Sequence, residues 1–266
     1  MKNNLTYLTH NSLNSRLTAR HRRRLAGASV LFKNASIAAG LALLAFVPAA
    51  LAQDNDTWVG NTDDTWGTGA NWTFSSGTAT AVASGDSLFF GVAGSSGAAL
   101  NNNLSGFSFS GITFSSGASA YVFSGNSFGL AGGITNNSTS AEIISNNIAL
   151  SGTKFFSANG NLTLGGVISG SGFGISKTGA NTLILSGANT YGGTTTLFAG
   201  GLDINNPSAL GTGALIIGGS TTIDNTSGGS ISNSQNNAQN WNGNFTFAGT
   251  TNLNLGTGAV TLGASP

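Results

Sequence analysis

Cysteine is absent from this 266-residue chain, only 3 residues are proline, and 6% carry a formal charge. Beyond residue 52 the sequence also contains no histidine, arginine or methionine. Two lysines stand there against eight acids, a formal charge of −6, whereas the whole chain sums to +1. These absences exclude most catalytic and metal-binding constellations, and they leave few cations to neutralise phosphate. We therefore expect no catalytic residues, no cofactor, no bound metal and no nucleic-acid partner.

The missing basic residues are concentrated in the first 52 positions. A basic stretch at 21–24 precedes an apolar run from Ile37 to Leu51, and Ala50 and Ala52 form an A-x-A cleavage pattern. An uncleaved anchor is the alternative, but the run is shorter than the roughly 18 to 20 apolar residues of a bilayer span. The pattern thus predicts a cleavable helical signal peptide over residues 1–52, followed by an exported mature chain that does not span the membrane.

Tryptophan is concentrated directly after this leader. Trp58, Trp66 and Trp72 are three of the four tryptophans in the chain, and no later segment resembles theirs. Because a repetitive fold leaves an open core at its first repeat, we interpret residues 53–84 as an N-terminal cap closed by bulky aromatic side chains. An aromatic sugar-binding platform is one alternative. A calcium site built from the nearby acids is another, although their spacing matches no calcium loop pattern; these acids are Asp54, Asp56, Asp63 and Asp64.

Short alternating apolar strings recur over residues 85–266, each bounded by Gly, Asn or Ser. Helical periodicity is absent after Ala52, so the sequence predicts an all-β fold with very short strands. The strings are 87–90, 107–109, 112–114, 120–123, 143–144, 148–150, 162–164, 183–185, 215–217, 245–247, 253–255 and 260–262.

A parallel β-helix, or solenoid, explains this pattern better than a sandwich or barrel. Glycine and asparagine tolerate left-handed backbone conformations, and a solenoid reuses the same turn coil after coil. The fold also accounts for the low charge, because like charges stacked on adjacent coils repel. With about 20 residues per coil, we expect some eight to ten coils.

Residues 168–204 resemble a known family, the autotransporter-associated β-strand repeat. The similarity lies in an ordered series of Lys, Gly, Thr-Leu, Gly, Asn, Tyr and Gly positions, with Ile175 and Asn181 in place of the more usual Leu and Gly; the sequence reads ISGSGFGISKTGANTLILSGANTYGGTTTLFAGGLDI. The resemblance implies a right-handed parallel β-helix in an autotransporter passenger. It also implies export through the inner membrane of a Gram-negative bacterium to the periplasm, the cell surface or the medium.

This resemblance favours a non-enzymatic passenger segment that acts as a surface spacer or adhesin. Its expected partners are the export machinery and a host, matrix or glycan ligand along the rod surface. The family's C-terminal translocator barrel is not recognisable before Pro266, so a truncated fragment without independent function is one alternative. The other is a carbohydrate-active β-helix, a polysaccharide lyase or hydrolase.

Asp203 and Asp224 are the weak candidates for that enzymatic alternative. They are 21 residues apart, about one coil, so they are expected to stack on one face, and paired carboxylates perform glycosidic chemistry at suitable separations. The structural interpretation is that both cap turns beside neighbouring asparagines. Lys177, a family position, is expected to pack its stem along the rod surface with its ammonium group in water.

Overall fold

The computed structural model describes residues 53–263 as a parallel β-solenoid of about eight turns. The predicted signal peptide, with its cleavage residues Ala50 and Ala52, lies outside the described residues. Within them, the one helical element is a 3-10 turn, Gly69–Asn71. The prediction of an all-β parallel solenoid is therefore confirmed.

The strands are two to five residues long. In chain order they are β1 Asn55–Trp58, β2 Trp72–Phe74, β3 Ser87–Phe90, β4 Ala99–Asn102, β5 Ser108–Phe109, β6 Gly111–Phe114, β7 Val122–Gly125, β8 Phe128–Leu130, β9 Ile134–Asn136, β10 Glu142–Ile144, β11 Ile148–Leu150, β12 Lys154–Ala158, β13 Leu162–Leu164, β14 Ile168–Ser169, β15 Ile175–Thr178, β16 Thr182–Leu185, β17 Thr195–Leu197, β18 Gly200–Ile204, β19 Leu215–Ile217, β20 Thr221–Asp224, β21 Ile231–Ser232, β22 Gln239–Trp241, β23 Phe245–Phe247, β24 Leu253–Asn254 and β25 Val260–Leu262.

Four sheets run along the solenoid. Sheet 1 has the order β2-β1-β3-β6-β9-β12-β15-β17-β19-β22-β25, and sheet 2 has the order β23-β20-β18-β16-β13-β10-β7-β4. Sheet 3, β14-β11-β8-β5, and sheet 4, β21-β24, are shorter. The chain visits sheets 1, 2 and 3 in the same order in each early coil, and all pairings are parallel except that of β1 with β2.

The spacing of the coils follows from the strand register. Ile175 pairs with Thr195 and Thr195 pairs with Leu215, so these coils contain 20 residues each. Coils elsewhere are longer, for example 24 residues between Leu215 and Gln239. The extra residues extend the connections between sheets, while the strands keep their register.

Residues that pair from coil to coil form columns along the axis, and one inward column of sheet 1 shows how the core is filled. It is apolar at eight of its ten positions, and its charged members are Asp56 in β1 and Lys177 in β15. From the N-terminal end the column reads Asp56, Leu88, Ile112, Ile134, Phe156, Lys177, Leu197, Ile217, Trp241 and Leu262.

The three N-terminal tryptophans are buried inside the first coils. The indole of Trp66 lies 5.1 Å from the ring of Phe123 and 5.7 Å from that of Phe109, both at steep angles. The backbone carbonyl oxygen of Trp66 accepts a 2.8 Å hydrogen bond from Nε1 of Trp72. The aromatic rings thus fill the interior near β1, while the domain bounds 53–84 and 85–266 remain a prediction.

Candidate functional site

Asp203 and Asp224 lie on adjacent coils of sheet 2, directly in register. Leu202 and Ile204 on either side of Asp203 point into the core, so the alternation of the strand directs Asp203 to the outer face. Both acids are nevertheless largely buried, at 8% and 6% exposure. The expected stacking of the two acids on one face is therefore observed.

Both carboxylates hold turns of the solenoid. Oδ2 of Asp203 accepts a 2.8 Å hydrogen bond from the Thr226 hydroxyl. Asp224 accepts bonds from the Thr250 hydroxyl and from the backbone N–H groups of Asn225 and Thr250, at 2.5, 2.8 and 3.0 Å. These contacts agree with the structural interpretation, because each acid ties its strand to a following polar turn.

The two environments move the acids' pKa values in opposite directions. Burial and the charge of Asp224 raise the pKa of Asp203 above the ordinary range for aspartate, against a hydrogen bond from Thr226 that lowers it. Burial also acts to raise the pKa of Asp224, but the hydrogen bonds from Thr250 and Asn225 outweigh it, so that pKa is lowered. A carboxylate pair split in this way is an arrangement that acid–base catalysis uses.

A groove of about 710 Å³ opens on sheet 2, and its lining includes residues of β18 and β20, the strands that carry these acids. Its volume falls within the range of about 300 to 1,000 Å³ that is usual for ligand sites. Gly201 lies in an outward column between Thr182 and Thr222, followed by Thr246. Glycine has no side chain, and the side chain of Thr182 lies across Gly201, so Gly201 is buried beside Gly200 at the floor of the groove.

Most of the other residues that line the groove are polar and uncharged, and Ala180 and Phe245 are apolar. Its walls carry the hydroxyls of Thr182, Ser220 and Thr222 and the amides of Asn181 and Asn244. The sequence analysis missed this groove. The glycine pair 200–201 could have revealed it, because Gly201 lies in an outward column whose neighbouring members are threonines.

An exposed aromatic ring stands at the corner between sheets 1 and 2, two residues before Gly200. Phe198 is 49% exposed, and its Cδ1 atom lies 3.3 Å from the position that a Cβ atom would take on Gly218. The ring therefore lies over a glycine of the next coil instead of packing into the core.

The expectation for Lys177 was wrong. Its side chain is fully buried, and its Nζ donates hydrogen bonds to the carbonyl oxygens of Thr178, Gly179 and Ala199 at 2.7, 2.9 and 3.1 Å. Burial lowers the pKa of Lys177 to about 8. Three carbonyls at the corner between sheets 1 and 2 replace the water that was expected to solvate the ammonium group.

Among the four N-terminal acids considered as calcium ligands, Asp63 and Asp54 have separate surroundings. Asp63 accepts hydrogen bonds from Thr65, Thr68 and Asn71 in its own loop, whereas Asp54 accepts bonds from Ser76. Across residues 53–263, no three His, Cys, Asp or Glu side chains lie together in a way that could hold a metal ion.

Asp56 is fully buried at the N-terminal end of the apolar column. Burial raises its pKa to about 8, and the adjacent Asp86 and Asp54 contribute to the rise. At neutral pH this carboxyl is therefore mainly protonated, which avoids placing an uncompensated charge in the core.

Glu142, the one glutamate in the sequence, is a buried group that the sequence analysis did not single out. Its carboxylate accepts hydrogen bonds from the backbone N–H of Tyr121 at 2.7 Å and from the Ser138 hydroxyl at 3.0 Å. Burial raises its pKa to about 7 although both bonds oppose the shift. Glu142 thus links two coils at the entrance to sheet 2.

Comparison with known families identifies the segment that contains Lys177, Asp203 and the glycine floor. A family model described as passenger-associated-transport-repeat matches residues 175–204, from the first residue of β15 to the last residue of β18. No curated protein and no solved structure matches the chain. The repeat and the solenoid around it fit an autotransporter passenger repeat protein.

The repeat family implies export from a Gram-negative cell. Between residues 53 and 263, no helix has the length and the apolar character that crossing a bilayer requires.

Proposed function

We propose that the mature chain is an exported, non-enzymatic passenger segment that acts as a surface spacer or adhesin. The observation that carries this proposal is the position of the transport repeat, residues 175–204, inside a continuous parallel solenoid. Such a solenoid presents long outer faces on which a host, matrix or glycan partner could bind. Right-handed winding belongs to the proposal, because crossover connections between parallel strands are overwhelmingly right-handed.

Export is proposed to begin with cleavage after Ala52. Expression of the full chain in a Gram-negative host, followed by N-terminal sequencing of the exported product, is expected to give Gln53 as the first residue. An Ala50→Gln, Ala52→Gln double variant is expected to keep its leader, because both small residues of the cleavage pattern are lost. Equal processing of the variant would contradict the assignment of Ala50 and Ala52.

Adhesion is tested with beads that carry the purified full chain. We expect these beads to adhere to immobilised matrix proteins or glycans more than beads carrying an unrelated protein of similar charge. Equal adhesion of both kinds of bead to every surface would indicate that the chain acts only as a spacer. This outcome would remove the adhesin part of the proposal.

A carbohydrate-active enzyme is the second candidate, and the opposite pKa shifts of Asp203 and Asp224 favour it. The burial of both side chains and their hydrogen bonds to Thr226, Asn225 and Thr250 favour the structural role. Release of reducing ends from a panel of polysaccharides measures turnover, and we expect none. Turnover that an Asp203→Asn variant abolishes while retaining the wild-type melting temperature would establish the enzyme instead.

A further inference from the structure

The groove on sheet 2 is lined without a single charged side chain. Its hydroxyls both donate and accept hydrogen bonds, and its amides supply two donors and an acceptor each. Such a lining matches a ligand that is rich in hydroxyl groups and has no charge. It offers no cation for a phosphate, a sulfate or a uronate.

The shape of the groove selects for an extended ligand. Its lining comes from four successive coils, from Thr182 in β16 through β18 and β20 to Thr246 in β23. With about 4.8 Å between neighbouring strands, the groove is about 14 Å long. Gly201 has no side chain of its own, and the side chain of Thr182 lies across it, with Oγ1 only 2.5 Å from the position that a Cβ atom on Gly201 would take.

Phe198 supplies an exposed apolar ring outside the lining of the groove. Its ring is half exposed and lies two residues before Gly200, at the corner from which the chain enters β18. Aromatic rings carry a negative face, on which the C–H groups of a sugar ring pack favourably. A chain that extends from the hydroxyl-lined groove to this corner meets both kinds of contact that a sugar ring makes.

We propose that this groove binds a neutral polysaccharide chain lying along the solenoid axis, with one sugar ring stacked on Phe198. The inference rests on the proposed adhesin function and specifies its ligand class. Thr182 and Thr222 bond its hydroxyls, and the lack of cations disfavours acidic polymers.

The test is calorimetric titration of the purified full chain with hexasaccharides. Cellohexaose, laminarihexaose and maltohexaose serve as neutral probes, and hexagalacturonate serves as the anionic probe. We expect at least one neutral probe to bind at least about tenfold more tightly than hexagalacturonate. Absence of binding by all three neutral probes, or equal binding of the anionic probe, would overturn the proposal.

Two matched pairs of variants locate the binding. Thr222→Trp fills the groove, whereas Thr135→Trp places the same ring on the outer face of sheet 1, away from it. We expect the first variant to weaken binding at least about tenfold, as loss of a central contact does, and the second to leave it unchanged. Circular dichroism and melting curves check that both variants fold.

Phe198→Ala provides a second test that does not depend on Thr222→Trp folding. Its control is Phe155→Ala, which removes another exposed ring, one that lies on sheet 1. We expect weaker binding only for Phe198→Ala, and unchanged binding would overturn the stacking.

Bead adhesion that persists in Thr222→Trp would refute the groove as the ligand site while leaving the adhesin proposal intact. Hexasaccharide binding without bead adhesion would support the groove as a ligand site and would contradict the adhesin proposal.

Discussion

The first coils and the repeat coils fill the same kind of interior with different side chains. Around Trp66, the core consists of aromatic rings from several coils, at centroid distances of 5.1 to 6.5 Å. In the repeat, residues 175–204, it consists mainly of leucine and isoleucine in columns such as Leu162, Leu183 and Leu202. A side chain that closes an end must reach over several coils, whereas a side chain in a repeat needs only to stack on its neighbours.

Each region also holds one ionisable residue in the same inward column. Asp56 reduces the cost of burial by staying protonated, because burial raises its pKa and the neighbouring acids Asp86 and Asp54 raise it further. Lys177 reduces it with three carbonyl oxygens. The comparison teaches that a solenoid core accepts an ionisable group where the group is neutral or where a corner supplies backbone acceptors.

The largest effect is expected from Trp66→Ala. This variant removes a ring that packs against Phe90, Phe109, Phe123 and Phe128, so the free energy of unfolding should fall by about 4 kcal/mol. Urea denaturation followed by circular dichroism measures it. A loss below about 1 kcal/mol would show that the aromatic coils are not a cooperative end of the solenoid.

Leu183→Ala is the corresponding large-to-small substitution in the repeat. Leu183 is fully buried between Leu162 and Leu202, so we expect a loss of about 3 kcal/mol in the same experiment. The value should lie below that of Trp66→Ala, because the side chain is smaller and contacts fewer coils. The reverse order would contradict the contrast between closing and stacking side chains.

Lys177→Met keeps the length of the side chain and removes its charge. We expect the free energy of unfolding to fall by about 2 kcal/mol, because three buried carbonyl oxygens lose their donor. In the wild type, the penalty for burying the ammonium is fully present below pH 8 and disappears as the pH rises toward 10.5. The free energy of unfolding of the wild type, measured relative to that of Lys177→Met, should therefore be larger at pH 10 than at pH 7, because other groups such as Asp56 titrate alike in both proteins.

Asp56→Asn is expected to have the smallest effect at acidic pH, where it replaces a protonated carboxyl with a neutral amide of similar shape. Because the pKa of Asp56 is raised, its stabilisation is full below about pH 4 and is lost as the pH rises through 8. The melting temperature of the wild type should therefore fall more steeply from pH 5 to pH 9 than that of Asp56→Asn. Glu142 adds to the slope in both proteins, up to about pH 7. Parallel curves would show that Asp56 is not the titrating group.

Apolar alternation revealed part of the strand pattern and overlooked the rest. All twelve predicted strings overlap strands, because alternating Leu, Ile and Phe residues directly mark an inward face. Strands such as Gly200–Ile204 and Thr221–Asp224 were not among them, since their glycine and threonine residues resemble turns. In a solenoid these strands are stabilised by pairing with strands about 20 residues away, which local composition does not encode.

For the candidate site, the sequence predicted the stacking of Asp203 and Asp224 from their spacing alone. It did not predict the hydrogen bonds from Thr226 and Thr250, which require the connections after β20 and β23 to fold back on the acids. The groove was equally hidden, because Gly201 becomes a floor only when Thr182 and Thr222 lie beside it on neighbouring coils.

The sequence by itself determined the all-β class, through its local apolar alternation, and the resemblance of residues 168–204 to a passenger repeat, through an ordered series of residue types. Only the tertiary structure decided where the few charged groups lie. Lys177 was expected in water and lies in the core, since whether a side chain meets solvent or three carbonyl oxygens depends on the corner formed by the next coil. Residues far apart in sequence create that corner, and their register, not the composition of any one segment, sets the environment of each charge.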